Sequence, residues 1–210
     1  MLGRPAKKLA QAAVDSLPKV AGDLIRRYAG HRRTVRSPDR AVLLRQVFPA
    51  LRGASALSKN ANVLWIGCRR YTKKYYAMLE RGGAQCSSID IEPSVMQWGR
   101  RGRHFVGDML ELPRIFPLVR FDTVLCNGVL GWGVDTPTDQ LKAFEAMAAI
   151  MSPGGWLIVG WNTDRMDDPL AMGLGTKWFD HRSLPDFPAR CVVNGCTHVF
   201  DTYRRRLDNQ

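Results

Sequence analysis

The chain has 210 residues, of which 45% are hydrophobic and 24% charged, a make-up that excludes a fibrous or fully disordered protein and fits one sizeable core. Net charge is +12 and uneven: residues 1–60 hold 13 Lys and Arg against 3 Asp, whereas residues 61–210 hold 18 against 16 acidic residues. No window approaches the roughly 18 apolar residues that span a bilayer, and the run 9–14 is too short and too polar for an export signal.

The chain therefore reads as a basic helical extension over 1–60 followed by one domain over 61–210. In the extension, Leu9, Ala13, Leu17, Val20, Leu24 and Ile25 recur at helical spacing between Lys and Arg, and Pro18 splits the run in two. A basic turn follows, then a helix carrying Val42, Leu43, Leu44, Val47 and Phe48, and a small-residue linker over 50–61. Such a segment concentrates anionic partners, RNA or acidic lipid headgroups, or it is a solvated face that aids solubility.

Beyond residue 61, short apolar runs alternate with helical segments, the pattern of a parallel sheet with crossover helices. The predicted strands are 62–66, 85–91, 104–106, 121–127 and 156–161. The main helices are 71–81, one opening at Pro93, and 138–151 with Leu141, Phe144, Met147 and Ile150 on one stripe. The tail holds two further β-like runs, 191–193 and 197–203, parted by the hairpin dipeptide Asn194 and Gly195. Five cysteines, Cys68, Cys86, Cys126, Cys191 and Cys196, form no paired spacing. The expectation is free thiols in a reducing cytoplasm, three of them small buried strand residues, with a peripheral membrane role open to the basic segment.

In an open α/β sheet, ligands bind outside the carboxyl ends of the strands where strand order reverses. Gly67 ends the first run, where a missing β-carbon allows close backbone approach. Asp90 ends the second, placed for a carboxylate that accepts two ribose hydroxyls. Gly107, Asp108 and Met109 follow the third, offering an acceptor for an exocyclic amine and an apolar wall. Cys126, Asn127 and Gly128 follow the fourth.

The ordered set Val63 to Gly67, Ile89 to Pro93, Gly107 and Asp108, Phe121 to Asn127, and Met151 to Gly155 resembles the class I S-adenosylmethionine-dependent methyltransferases. The resemblance implies a doubly wound, seven-stranded, mostly parallel α/β sheet with an antiparallel last strand, and S-adenosylmethionine as cofactor. It places Gly67 and its loop at the methionine moiety, Asp90 at the ribose, Asp108 and Met109 at the adenine, and Cys126, Asn127 and Gly128 beneath the sulfonium, with Ile91 among the cofactor-binding residues. The loop departs from the family's glycine-rich form: Gly67 is followed by Cys68, Arg69, Arg70, Tyr71 and Thr72. Either Tyr71 and Thr72 hydroxyls, assisted by Arg69, replace the lost backbone contacts, or the fold has lost its ligand. The absence of a Gly-x-Gly-x-x-Gly argues against a nicotinamide enzyme.

Methyl transfer is an in-line displacement, so alignment and exclusion of water are the protein's main tasks. Asp135, Asp164 and His198 are candidate bases, but each has an ordinary structural role open to it: helix cap, loop residue and strand histidine respectively. Trp132 and Trp161 are candidates for an aromatic wall. No metal-ligand spacing occurs, so no metal is expected. The small segment over 162–189 makes a small-molecule or saccharide-like acceptor the leading expectation, with RNA or a catalytically silent scaffold as the alternatives.

Overall fold

A computed structural model describes residues 37–207. The helices read over residues 6–28 and most of the basic extension lie outside the described residues.

The compact unit that carries the sheet begins at Pro38. Helix α1 (Pro38–Val42) passes through one π-helical stretch (Leu43–Val47) into α2 (Phe48–Gly53). Leu43, Val47, Phe48 and Leu51 from this run are buried with the first strand in one cluster, so residues 38–60 pack with the sheet rather than standing apart from it. The stretch read as a linker follows suit: Ala50, Leu51, Ala56, Leu57 and Ala61 are buried. Small residues there permit close packing on the sheet, and small size had suggested only a tether.

Five parallel strands follow: β1 (Asn62–Ile66), β2 (Gln85–Asp90), β3 (His104–Val106), β4 (Phe121–Asn127) and β5 (Met151–Asn162). Strands β6 (Phe179–His181), β7 (Arg190–Val192) and β8 (His198–Arg205) complete the sheet. Its order is β3-β2-β1-β4-β5-β8-β6, with β7 also paired to β8. Strand β8 runs antiparallel to β5, and both β6 and β7 run antiparallel to β8. Because β6 pairs with residues 203–205 and β7 with residues 199–201 of the same edge, the outermost strand is broken into two short pieces. The predicted tail hairpin is β7 and β8; β6 was missed, since three residues are too few to show alternation.

The central strands are buried on both faces, which is why they read as continuous apolar runs. Their side chains divide with period two: Leu64, Ile66, Val124, Cys126, Leu157 and Val159 face one core, Val63, Trp65, Leu125, Trp156 and Ile158 the other. The first core is closed by α4 (Leu112–Ile115) and α5 (Pro137–Ile150), the second by α2 and α3 (Tyr75–Leu79). In the second, the Phe48 ring stands edge-on to Trp65 at 6.4 Å and to Tyr75 at 5.6 Å.

Two details of α5 differ from expectation. Leu141 is 45% exposed, because Gln140 turns inward instead and donates to the carbonyls of Val134 and Asp135. The helix is capped by Thr136, whose hydroxyl accepts from the Asp139 N–H, and not by Asp135, whose carboxylate accepts from the Gly133 N–H. Among the cysteines, Cys68, Cys86 and Cys126 are buried, Cys191 is half-buried on the edge strand and Cys196 exposed, all as free thiols. Within the described residues, no helix is long and apolar enough to cross a membrane.

Candidate functional site

Strand order reverses between β1 and β4, whose outer neighbours β2 and β5 lie on opposite sides, and a cavity of about 130 Å³ opens at the carboxyl ends there. Gly67, Arg69, Asp90, Ile91, Asp108, Met109 and Gly128 all line it. Thus groups from β1, β2, β3 and β4, separated by more than sixty residues in sequence, share one opening.

Gly67 sits at φ +87° and its N–H donates to the Ile89 carbonyl, tying the β1 exit to β2. A β-carbon there would stand 2.7 Å from a methyl of Val129, so both the backbone conformation and the packing demand glycine.

Asp90 is nearly buried and already well bonded. Its Oδ2 accepts from the Cys68 N–H at 2.6 Å and from Arg69 Nη1 at 3.2 Å, and its Oδ1 accepts from the Glu92 N–H at 2.9 Å. Beside it Ile91 is 66% exposed, an apolar surface with no cover, while Met109 is buried on the far side of the opening. Asp108 spends Oδ1 on the Leu110 N–H.

Cys68, Tyr71, Thr72, Cys126 and Asn127 do not line this cavity. The Thr72 hydroxyl is turned into its own loop, accepting from the Arg69 N–H at 3.2 Å and donating to the Arg69 carbonyl at 2.8 Å. Tyr71 packs its ring under the Arg40 guanidinium at 3.7 Å. The Cys68 side chain is buried 3.4 Å from the Tyr76 hydroxyl, and burial pushes its thiol up to about 11. Cys126 is wholly buried in the α5-side core.

Asn127 belongs instead to a polar cluster across the ends of β4, β5 and β8. His198 lies 3.0 Å through Nε2 from Asn127 Oδ1 and 3.2 Å through Nδ1 from Asn162 Oδ1. Burial pushes its pKa below the ordinary value, with the Asp39 carboxylate opposing, so the ring is neutral and donates from one nitrogen only. One asparagine must then turn its amide N–H toward the ring. Gly160 lies beneath this pair, and a β-carbon there would collide with the Asn127 carboxamide. His198 is a structural clamp between strand ends.

Above the cluster, Trp132 is 43% exposed, carries the Arg165 guanidinium 4.2 Å from its ring centre, and directs Nε1 toward Asn162 Oδ1 at 3.5 Å. It lines the cavity as well. Trp161 is no wall: it is buried, donating Nε1 to Asp201 Oδ2 at 2.8 Å. Asp201 is fully buried and also meets Arg190, which makes a two-pronged pair with Asp168 at 2.6 and 2.7 Å. This network fastens the 162–178 loop to the edge strands. Arg165, Val129 and Leu110 were not foreseen; only the Gly131, Trp132, Gly133 triplet marked that loop in sequence. Among the described residues no cluster of three His, Cys, Asp or Glu could hold a metal.

A family model described as a methyltransferase domain matches residues 64–159. The N-methyltransferase NodS from Bradyrhizobium japonicum WM9 is similar in structure, with TM-score 0.58 at 17% identity over 78% of this chain and 97% of that one. The same protein in complex with S-adenosyl-L-homocysteine gives TM-score 0.55 at 18% identity, over 85% and 98% of the two chains. A TehB-like SAM-dependent methyltransferase from Corynebacterium glutamicum ATCC 13032 gives 0.54 at 15% identity, over 81% and 100%. A search of curated proteins finds no match.

Proposed function

We propose that the chain, whose residues 64–159 match a methyltransferase domain, is a class I enzyme that uses S-adenosylmethionine to methylate a small-molecule or saccharide-like acceptor. The convergence of Gly67, Asp90, Asp108 and Met109 on one opening at the strand-order reversal carries this reading.

The residues fit the cofactor by their chemistry. Asp90 supplies a carboxylate for the ribose diol, Asp108 keeps Oδ2 for an amine, and Ile91 and Met109 offer apolar surface on two sides of a planar base. Gly128, at φ +68°, has no atom within 4 Å of where a β-carbon would stand, leaving room at the β4 end. When bound, the cofactor supplies an electrophilic methyl group. The chain's part is to align an acceptor and exclude water.

The acceptor's place is the surface of Trp132, Arg165 and Asn162, where an aromatic face stands beside hydrogen-bonding groups, a combination suited to a sugar or another polar ring. His198 acts by holding Asn127 and Asn162 and not as a base, since both ring nitrogens face amides. Titration calorimetry with S-adenosylhomocysteine, followed by methyl incorporation from labelled cofactor into a panel of saccharides and amines, tests the reading. Micromolar binding with labelled product supports it; binding without product from any acceptor class would leave a silent scaffold.

RNA methylation is the second reading, favoured by the 13 Lys and Arg of residues 1–60. It requires RNA affinity that falls steeply between low and moderate salt. Flat affinity would remove it.

A further inference from the structure

We infer that Arg69 is a two-position side chain that holds Asp90 until the amino-acid end of the cofactor draws it away, freeing Asp90 for the ribose. The inference rests on the cofactor reading above.

The hydrogen bonds of the loop after β1 carry the argument. A carboxylate offers about four acceptor positions. Asp90 has committed three, to the Cys68 N–H, the Glu92 N–H and the Arg69 guanidinium, and a ribose diol needs two. The two backbone donors are fixed by the chain. Arg69 is the partner able to leave: its side chain is 46% exposed and reaches Asp90 through one nitrogen at 3.2 Å.

Three backbone donors of the same loop are already taken. The Cys68 N–H is held by Asp90, the Arg69 N–H by the Thr72 hydroxyl, and the Thr72 N–H by the Arg69 carbonyl. In a glycine-rich loop such groups would receive the cofactor's α-carboxylate. Here the cation lining the cavity is Arg69. A guanidinium matches a carboxylate with two parallel N–H donors, whereas its grip on Asp90 uses one. The exchange gives up the 2.6 Å bond from the same nitrogen to the Cys68 carbonyl, but Arg69 acquires a two-pronged charged partner and Asp90 regains an acceptor for the ribose.

The test compares two probes, S-adenosylhomocysteine and adenosine, which share the nucleoside but differ in the amino-acid end, on the full chain and on Arg69→Met by calorimetry. The expected result is a crossover: Arg69→Met binds S-adenosylhomocysteine about tenfold or more weakly, the loss of a charged hydrogen-bonded partner, and binds adenosine more tightly than the parent. Arg69→Lys is expected to fall between them for S-adenosylhomocysteine and separates loss of charge from misfolding, which circular dichroism checks. If both probes weaken together, or neither changes, the exchange is overturned while the cofactor site stands. If the parent binds neither probe, the cofactor reading fails and this inference with it.

Discussion

The carboxylate of Asp90 accepts a 2.6 Å hydrogen bond from the backbone N–H of Cys68, so the end of β2 holds the loop after β1 in place. Asp90→Ala should act twice. It strands a nearly buried N–H, costing about 1–3 kcal/mol of stability, and it removes charge-assisted contacts to ribose worth about 1.5–3 kcal/mol each. A fall of roughly 100-fold in S-adenosylhomocysteine affinity is expected by calorimetry, with a lowered melting temperature. Unchanged affinity would separate this residue from the cofactor.

Gly67→Ala places a β-carbon at a positive φ and against Val129. A cost of about 1–3 kcal/mol is expected from strain alone, read as a shift in urea midpoint at constant slope. Because the side chain cannot enter without moving Val129, cofactor affinity should fall with it.

The ion pair of Asp201 with Arg190 is buried on the acid side and shared with Trp161. Asp201→Asn leaves the guanidinium with Asp168 alone, and breaking a buried pair costs about 3–5 kcal/mol. Equilibrium unfolding in urea measures it. A loss under 1 kcal/mol would mean that the 162–178 loop is held by other contacts.

Stability should depend on pH through groups whose ionisation differs between folded and unfolded chains. Burial lowers the pKa of His198 and of His104, so the unfolded chain binds protons first as pH falls. Their contribution is complete above the unfolded value of 6.5 and declines below it, so the melting temperature should fall as pH drops below 6.5. Asp168 is held down to about 2 by the Arg190 guanidinium, against an ordinary 3.8. Its contribution is present above 3.8 and is lost as pH drops toward 2, a second acid step that Asp168→Asn should remove.

Arg165→Ala leaves the residues around Asp90 untouched but removes the cation stacked on Trp132. Acceptor KM should rise about tenfold, near the value of a cation–π contact with partial desolvation, with S-adenosylhomocysteine affinity unchanged. Equal losses in both would place Arg165 with the cofactor instead.

The parallel core was legible in sequence because doubly buried strands leave unbroken apolar runs, and glycine and aspartate at their ends mark where backbone turns toward ligand. Asp90, Asp108 and Met109 meet at one opening for that reason. What stayed hidden depended on side-chain direction. Thr72 and Tyr71 follow a bulky loop whose hydroxyls could have faced either way, and the inward turn of Thr72 is set by the Arg69 backbone. Trp161 falls on the same buried face of β5 as Leu157 and Val159 and meets Asp201; its indole needs an acceptor, and the sequence does not say which. The edge strand β6 was too short to register.

The Phe48, Trp65 and Tyr75 rings meet across α2, β1 and α3. Removing residues 1–60 to ask whether the basic segment recruits RNA would take Phe48 with it and uncover the indole of a central strand. Loss of RNA affinity would then report an unravelled domain as readily as a missing partner surface. A cut between Ser37 and Pro38 retains the aromatic trio, yet still removes 9 of the 13 Lys and Arg, and so turns an ambiguous deletion into a clean measurement.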